Sequence, residues 1–134
     1  MMEYVKINGR SYDVLVVELS ENFNILYSEN TGRTMADGAR MILDPLGTFI
    51  GHKITFRRKN GKEQEYDELF NLFSQPRSEG IFVEIAHDQG TISYDAYVSS
   101  GERSVTRINP NSGIVYWGEF SVNVIPMEAQ VLPE

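Results

Sequence analysis

Asn-Gly, Asp-Gly, Gln-Gly and Ser-Gly dipeptides cut this chain into short pieces: Asn8-Gly9, Asp37-Gly38, Asn60-Gly61, Gln89-Gly90, Ser100-Gly101 and Ser112-Gly113. Asn and Asp beside Gly accept the positive φ angles of tight hairpin turns, so such dipeptides mark places where a chain reverses direction. Between them the apolar period is mostly two, the period of strands. Residues 4–7 and 10–19 flank the first Asn-Gly and read as a hairpin. The run Val14-Leu15-Val16-Val17 reads as a strand buried on both faces. Phe23, Ile25 and Tyr27 give a further strand. Ile54 and Phe56 alternate with Lys53, Thr55 and Arg57 across 51–59. Ile81, Val83 and Ile85 form another strand, as do Ile92, Tyr94, Ala96 and Val98. A last long strand spans 114–125, with Phe120, Val122 and Val124 on one face and Gly118 placed for a bulge or bend.

One segment breaks this pattern. Across 62–75, Tyr66, Leu69, Phe70 and Phe73 fall at i, i+3, i+4 and i+7, one helical stripe. Glu63, Glu65, Asp67 and Glu68 crowd its N-terminal half, where the helix dipole favours them, and Pro76 stops it. The helix is expected to lie across a sheet or barrel opening and bury both phenylalanines. The expected fold is therefore mainly β, a β-sandwich or partly closed barrel with one packed α-helix.

A chain of 134 residues fits one domain, 1–134, with a core large enough to need no staples. No apolar run approaches a bilayer span, and the N-terminus has no basic patch followed by an apolar stretch, so no signal peptide is expected. With no cysteine in the chain, disulfides, thiolate zinc sites and cysteine catalysis are excluded together. A net charge of −7 does not attract nucleic acid, though it suits a surface past which DNA must slide. The one basic cluster, Arg57-Arg58-Lys59 with Lys62, reads as a solvated strand end.

Chemistry is hard to find. His52 and His87 sit at strand ends and read as ordinary polar residues, not as a catalytic or metal-binding pair. Asp37 and Asp44 could serve an acidic-residue hydrolase, but an acidic chain offers such pairs freely. Tyr94, Tyr97, Tyr116 and Trp117 could stack bases, yet no basic groove accompanies them, and packing is the better reading. No catalytic, cofactor or metal site is expected. The odd part is 28–47, a long arm or loop of weak periodicity carrying Met35, Met41, Ile42 and Leu43, apolar residues that a solvated loop does not need. A neighbouring subunit would bury them, and Asp37-Gly38 allows the arm to be a hairpin.

The order of these elements resembles the bacteriophage tail-tube superfamily, which includes the tail tube protein, the N-terminal domain of the distal tail protein and related prophage tail proteins. The words that carry the likeness are Asn30-Thr31-Gly32-Arg33-Thr34-Met35 with Leu46-Gly47-Thr48, then Lys53-Ile54-Thr55-Phe56 and Glu65-Tyr66-Asp67-Glu68-Leu69. The closing word is Tyr116-Trp117-Gly118-Glu119-Phe120-Ser121-Val122-Asn123-Val124-Ile125. The resemblance implies a non-enzymatic structural subunit of a phage or prophage tail, synthesised in the bacterial host cytoplasm and placed in the virion tail. It implies partners that are further copies of the chain, in a hexameric ring, and other tail proteins. DNA would be passing cargo in the channel, with no membrane and no small-molecule substrate. Within the arm, Thr31, Arg33, Met35, Arg40, Met41 and Ile42 are the candidate subunit contacts. The competing readings are a monomeric tail-assembly or baseplate adaptor and, more remotely, the acidic-residue hydrolase.

Overall fold

The computed structural model describes residues 5–29, 31–33 and 41–134. Its strands are β1 (Val5–Ile7), β2 (Leu15–Tyr27), β3 (Gly32–Arg33), β4 (Met41–Ile42), β5 (Pro45–Arg57), β6 (Ile81–His87), β7 (Gly90–Tyr97), β8 (Gly101–Glu102), β9 (Val105–Ile108), β10 (Val115–Trp117) and β11 (Phe120–Pro126). The helix α1 covers Glu63–Ser74. The fold is mainly β, with this one helix among the described residues, as expected.

Seven strands form one antiparallel sheet with the path β1-β6-β7-β11-β5-β2, and β8 lies beside β11. β11 is where the sheet divides. Phe120 to Val124 pair with β5, whereas Ile125 and Pro126 pair with β7. The core fills the space between the two halves. Period-two burial supplies it from each strand: Ile81, Val83 and Ile85, then Tyr94 and Ala96, Ile54 and Phe56, and Phe120, Val122 and Val124. The helix closes it with Tyr66, Leu69 and Phe73. Phe120 stands at the centre of an aromatic group, with ring centroids 5.2 Å from Phe56, 5.1 Å from Tyr66 and 5.4 Å from Phe70. Phe70 is only half-buried, because the Arg103 guanidinium lies over its ring at 4.1 Å in place of further core.

Several expectations are corrected. Asn8 and Gly9 do turn, with φ of 53° and 78°. Yet only a single bridge, Ile7 to Arg10, follows, and β1 pairs with β6 instead of closing a hairpin. The chain is drawn away by α1: Arg10 bonds Glu65 and Glu68, and Glu65 accepts from the Asp13 backbone N–H. The run at Val14–Val17 is not buried on both faces, since Leu15, Val16 and Val17 are exposed. It continues without a break through Phe23 and Tyr27 as one 13-residue strand, with a bulge at Val17. The last strand is two, β10 and β11, parted at Gly118, whose N–H donates to Ser104 O at 2.8 Å. β10 pairs with β9 in a hairpin separate from the main sheet.

Candidate assembly interface

β2 pairs with β5 along its length, and no described strand occupies its other edge. Twelve of its 13 residues are exposed. Leu19, Glu21, Phe23 and Ile25 lie opposite Ile54, His52, Ile50 and Thr48, on the face that turns toward the core. Glu18, Ser20, Asn22, Asn24 and Leu26 occupy the outward face. Phe23 is 72% exposed although it points to the core side, because the strand has by then run past the body of the fold. β11 flanks β5 only between Phe56 and His52; beyond that, Thr48 is bridged by Val131, and the Gln130 side-chain amide brackets both backbone polar groups of Ile50. The result is a projecting β2–β5 ribbon. Gly47 is required near its tip, since a Cβ there would lie 2.7 Å from the Ala129 Cβ.

The arm lies at the ribbon tip. β3 and β4 pair, Gly32 with Ile42 and Arg33 with Met41, so the arm is a hairpin at its described ends. Met41 and Ile42 are 41% and 52% exposed. Thr31 is engaged internally: its hydroxyl accepts from the Asp44 N–H at 2.8 Å, and its own N–H donates to Ser28 O. Asp44 also bonds the Ser28 hydroxyl, so it fastens the tip. Arg33 is placed by its backbone in β3. Met35, Arg40 and Asp37 lie outside the described residues, so the Asp37–Asp44 pairing does as well.

The outward face of β2, β5, β11 and β8 is polar and nearly balanced in charge. Glu18, Lys53, Arg57, Glu102 and Glu119 are interspersed with Ser20, Asn22, Thr55, Ser121 and Asn123. The excess of negative charge on the chain therefore lies elsewhere.

The histidines are not ordinary strand-end residues. His52 is 1% exposed, and its Nε2 lies 3.0 Å from Glu21 Oε2. His87 Nδ1 lies 2.6 Å from the same oxygen. With both rings donating to Glu21, His52 Nδ1 is left to accept from the Tyr94 hydroxyl at 2.8 Å, and the rings stack. His87 Nε2 faces Asp88 at 3.5 Å. Burial pushes His52 below the usual imidazole range, against its bond to Glu21. The hydrogen bond to Glu21 holds His87 above that range. Burial acts to raise the Glu21 carboxyl, but its bonds from His87 and His52 win and hold it low. Burial raises the Tyr94 phenol strongly. The relay ties β2, β5, β6 and β7 together through one carboxylate. Among the described residues no group of three His, Asp or Glu is placed to hold a metal ion.

At the opposite end of β2 lies a cleft of about 560 Å³, walled by Leu15 and Trp117 and rimmed by Arg57, Arg58 and Lys59. These cations are ordered: Arg57 by Glu119, Arg58 by the Trp117 carbonyl and Asn60, and Lys59 by Asp13 at 2.6 Å. Arg103 sits over Trp117 at 4.0 Å and bonds Asp67 at 2.8 Å, joining the β8–β9 connection to α1 and β10. The tyrosines do not share a platform: Tyr94 is buried, Tyr97 is exposed, and Tyr116 lies under Arg58 and Arg107. Among the described residues, no helix is long and apolar enough to cross a membrane.

No family model matches this chain. No curated protein matches it either. Among solved structures, it is similar to a chain in the tail of an empty GTA (gene transfer agent, phage-like) particle, computed with helical refinement and C6 symmetry. The TM-score is 0.53 at 9% sequence identity, over 89% of this chain and 82% of that one. At that identity the likeness shows the fold, which is phage-tail-like.

Proposed function

We propose that this chain is a structural subunit of a phage or phage-like tail, one of several identical copies closing into a ring around a channel for DNA. The observation that carries this reading is β2: 13 residues, unpaired on one edge, with apolar side chains exposed on both faces. Such an edge in a lone molecule is a template for uncontrolled pairing, and ring closure removes it by pairing each sheet with its neighbour's. The tail-like fold supports the reading, and the C6 symmetry of the similar structure makes six the expected number of copies. On this reading the chain is not an enzyme and needs no cofactor; its partners are its own copies and other proteins of the virion tail. The charge-balanced outward face of the sheet suits a wall past which a duplex slides, since it neither condenses on the phosphates nor strongly repels them.

Size-exclusion chromatography with light scattering over a concentration series, followed by negative-stain imaging, tests this. Rings or tubes with an open channel are expected. A species that stays monomeric at every concentration and forms large complexes only with another tail protein is the result an adaptor gives.

A further inference from the structure

We propose that residues 129–132 are a built-in stopper that holds the second edge of the β2–β5 ribbon closed against the addition of a further strand, with Gln130 as the residue that closes it. β5 has β2 on one edge and β11 on the other. β11 leaves it after the Val124–His52 pair and turns to β7 with Ile125 and Pro126. Past that point Thr48 and Ile50 would present unpaired backbone groups on a ribbon whose Phe23, Leu26 and Leu46 are exposed. An apolar strand with a bare edge is a template for another chain.

The bare groups are all taken from within. The Thr48 N–H donates to Val131 O at 2.8 Å, and Thr48 O accepts from the Gln130 N–H at 3.1 Å. The Ile50 N–H donates to Gln130 Oε1 at 2.9 Å, and Gln130 Nε2 donates to Ile50 O at 2.9 Å. A side-chain amide carries the same acceptor oxygen and N–H donor as a peptide group, so Gln130 stands in for a strand residue. It saturates Ile50 without laying a second backbone beside it, and so creates no new edge. The segment is held on both sides of Gln130. The Met127 N–H donates to Asp95 O at 2.9 Å, and Ala129 occupies the space that a Cβ at Gly47 would need. Pro133 follows, with no N–H to continue a ladder. The ribbon is therefore asymmetric: β2 is open along its outer edge among the described strands, and β5 is shut. The stopper acts within one copy and does not depend on ring closure.

Gln130→Ala removes both side-chain bonds and leaves those of the backbone. In amide hydrogen exchange read by NMR, the Ile50 N–H of this variant should exchange about tenfold faster than in the wild type, while that of the buried Val83 keeps its rate. At a temperature where both proteins stay folded, the variant should form thioflavin-positive aggregates faster than the wild type, again about tenfold. Adding Thr48→Lys, a charge on the reopened edge, should return aggregation to the wild-type rate. An unchanged Ile50 rate in Gln130→Ala overturns the proposal. So does faster exchange with aggregation no faster than the wild type, and so does aggregation that Thr48→Lys leaves untouched, because it then arises elsewhere. Whether the wild type forms rings bears on the assembly reading alone.

Discussion

Glu21 is the residue on which the two histidines converge. One carboxylate oxygen accepts from two imidazoles, one buried and one at the end of β6, and neither ring has another acidic partner of comparable distance. The two histidines titrate in opposite senses. His87, raised, contributes stability in full below the ordinary imidazole value of 6.5 and loses it as pH rises through its folded value. His52, lowered, contributes in full above 6.5 and loses it as pH falls through its folded value. Glu21, lowered from 4.5, adds a contribution that goes only in more acidic solution. The melting temperature should therefore peak near pH 6.5 and fall gently on both sides, as thermal denaturation across pH 5–9 will read. In Glu21→Gln the alkaline decline should shrink to the part that Asp88 supports, since His87 loses the main charge that raised it, while the acid-side decline from the buried His52 persists. A wild-type profile flat from pH 6 to 8 would count against the relay. None of this was visible as a motif. The three residues are 31 and 35 apart along the chain, and Glu21 turns toward the core only because the bulge at Val17 shifts the phase of β2.

Among the elements, α1 and the strands of the core were readable, because a single apolar stripe or a strict alternation specifies one buried face. The helix expected over 62–75 is found at Glu63–Ser74, and Phe120, Val122 and Val124 share the buried face of β11. The edges were not readable. The Val14–Val17 run looks like a buried strand because hydrophobicity alone does not distinguish a core from a surface awaiting a partner. The first hairpin failed for a related reason: a turn dipeptide says where the chain reverses, not which strand it then joins, and ion pairs from Arg10 to α1 decide that. The core prediction is a direct one. Phe120→Ala removes a fully buried ring contacting four other aromatics and should cost about 3–5 kcal/mol, read by urea denaturation. The arm prediction runs the other way. Deleting residues 31–41 removes no core residue among those described and costs only the Thr31 bonds to Asp44 and Ser28, so the variant should melt close to the wild type while failing to assemble in light scattering. Unchanged assembly would remove the arm from the interface.

At the scale of the whole molecule, β2 leaves a 13-residue edge open among the described strands. Exposed apolar side chains run along it, from Leu15, Val16 and Val17 at one end to Phe23, Ile25 and Leu26 toward the other. The resemblance in the sequence anticipated a tail-like fold, and the structural likeness bears that out at the level of fold. The openness of that edge emerges only once β5 and β2 are laid side by side, since the run at Val14–Val17 reads from sequence as a strand buried on both faces.

β2 runs along that edge as a single element, bulged at Val17. At 13 residues it is about 40 Å long, and in a ring closed edge to edge that length sets how much backbone each copy offers its neighbour. The strand is then a ruler. Inserting two residues into both β2 and β5, at Asn22 and Gly51 where they pair, keeps every side chain on its face and lengthens the ribbon by about 7 Å. The width of the ring wall along the strand direction, measured from images of assembled rings, should grow by about the same amount, so that dimension of the assembly would be written in the length of one strand.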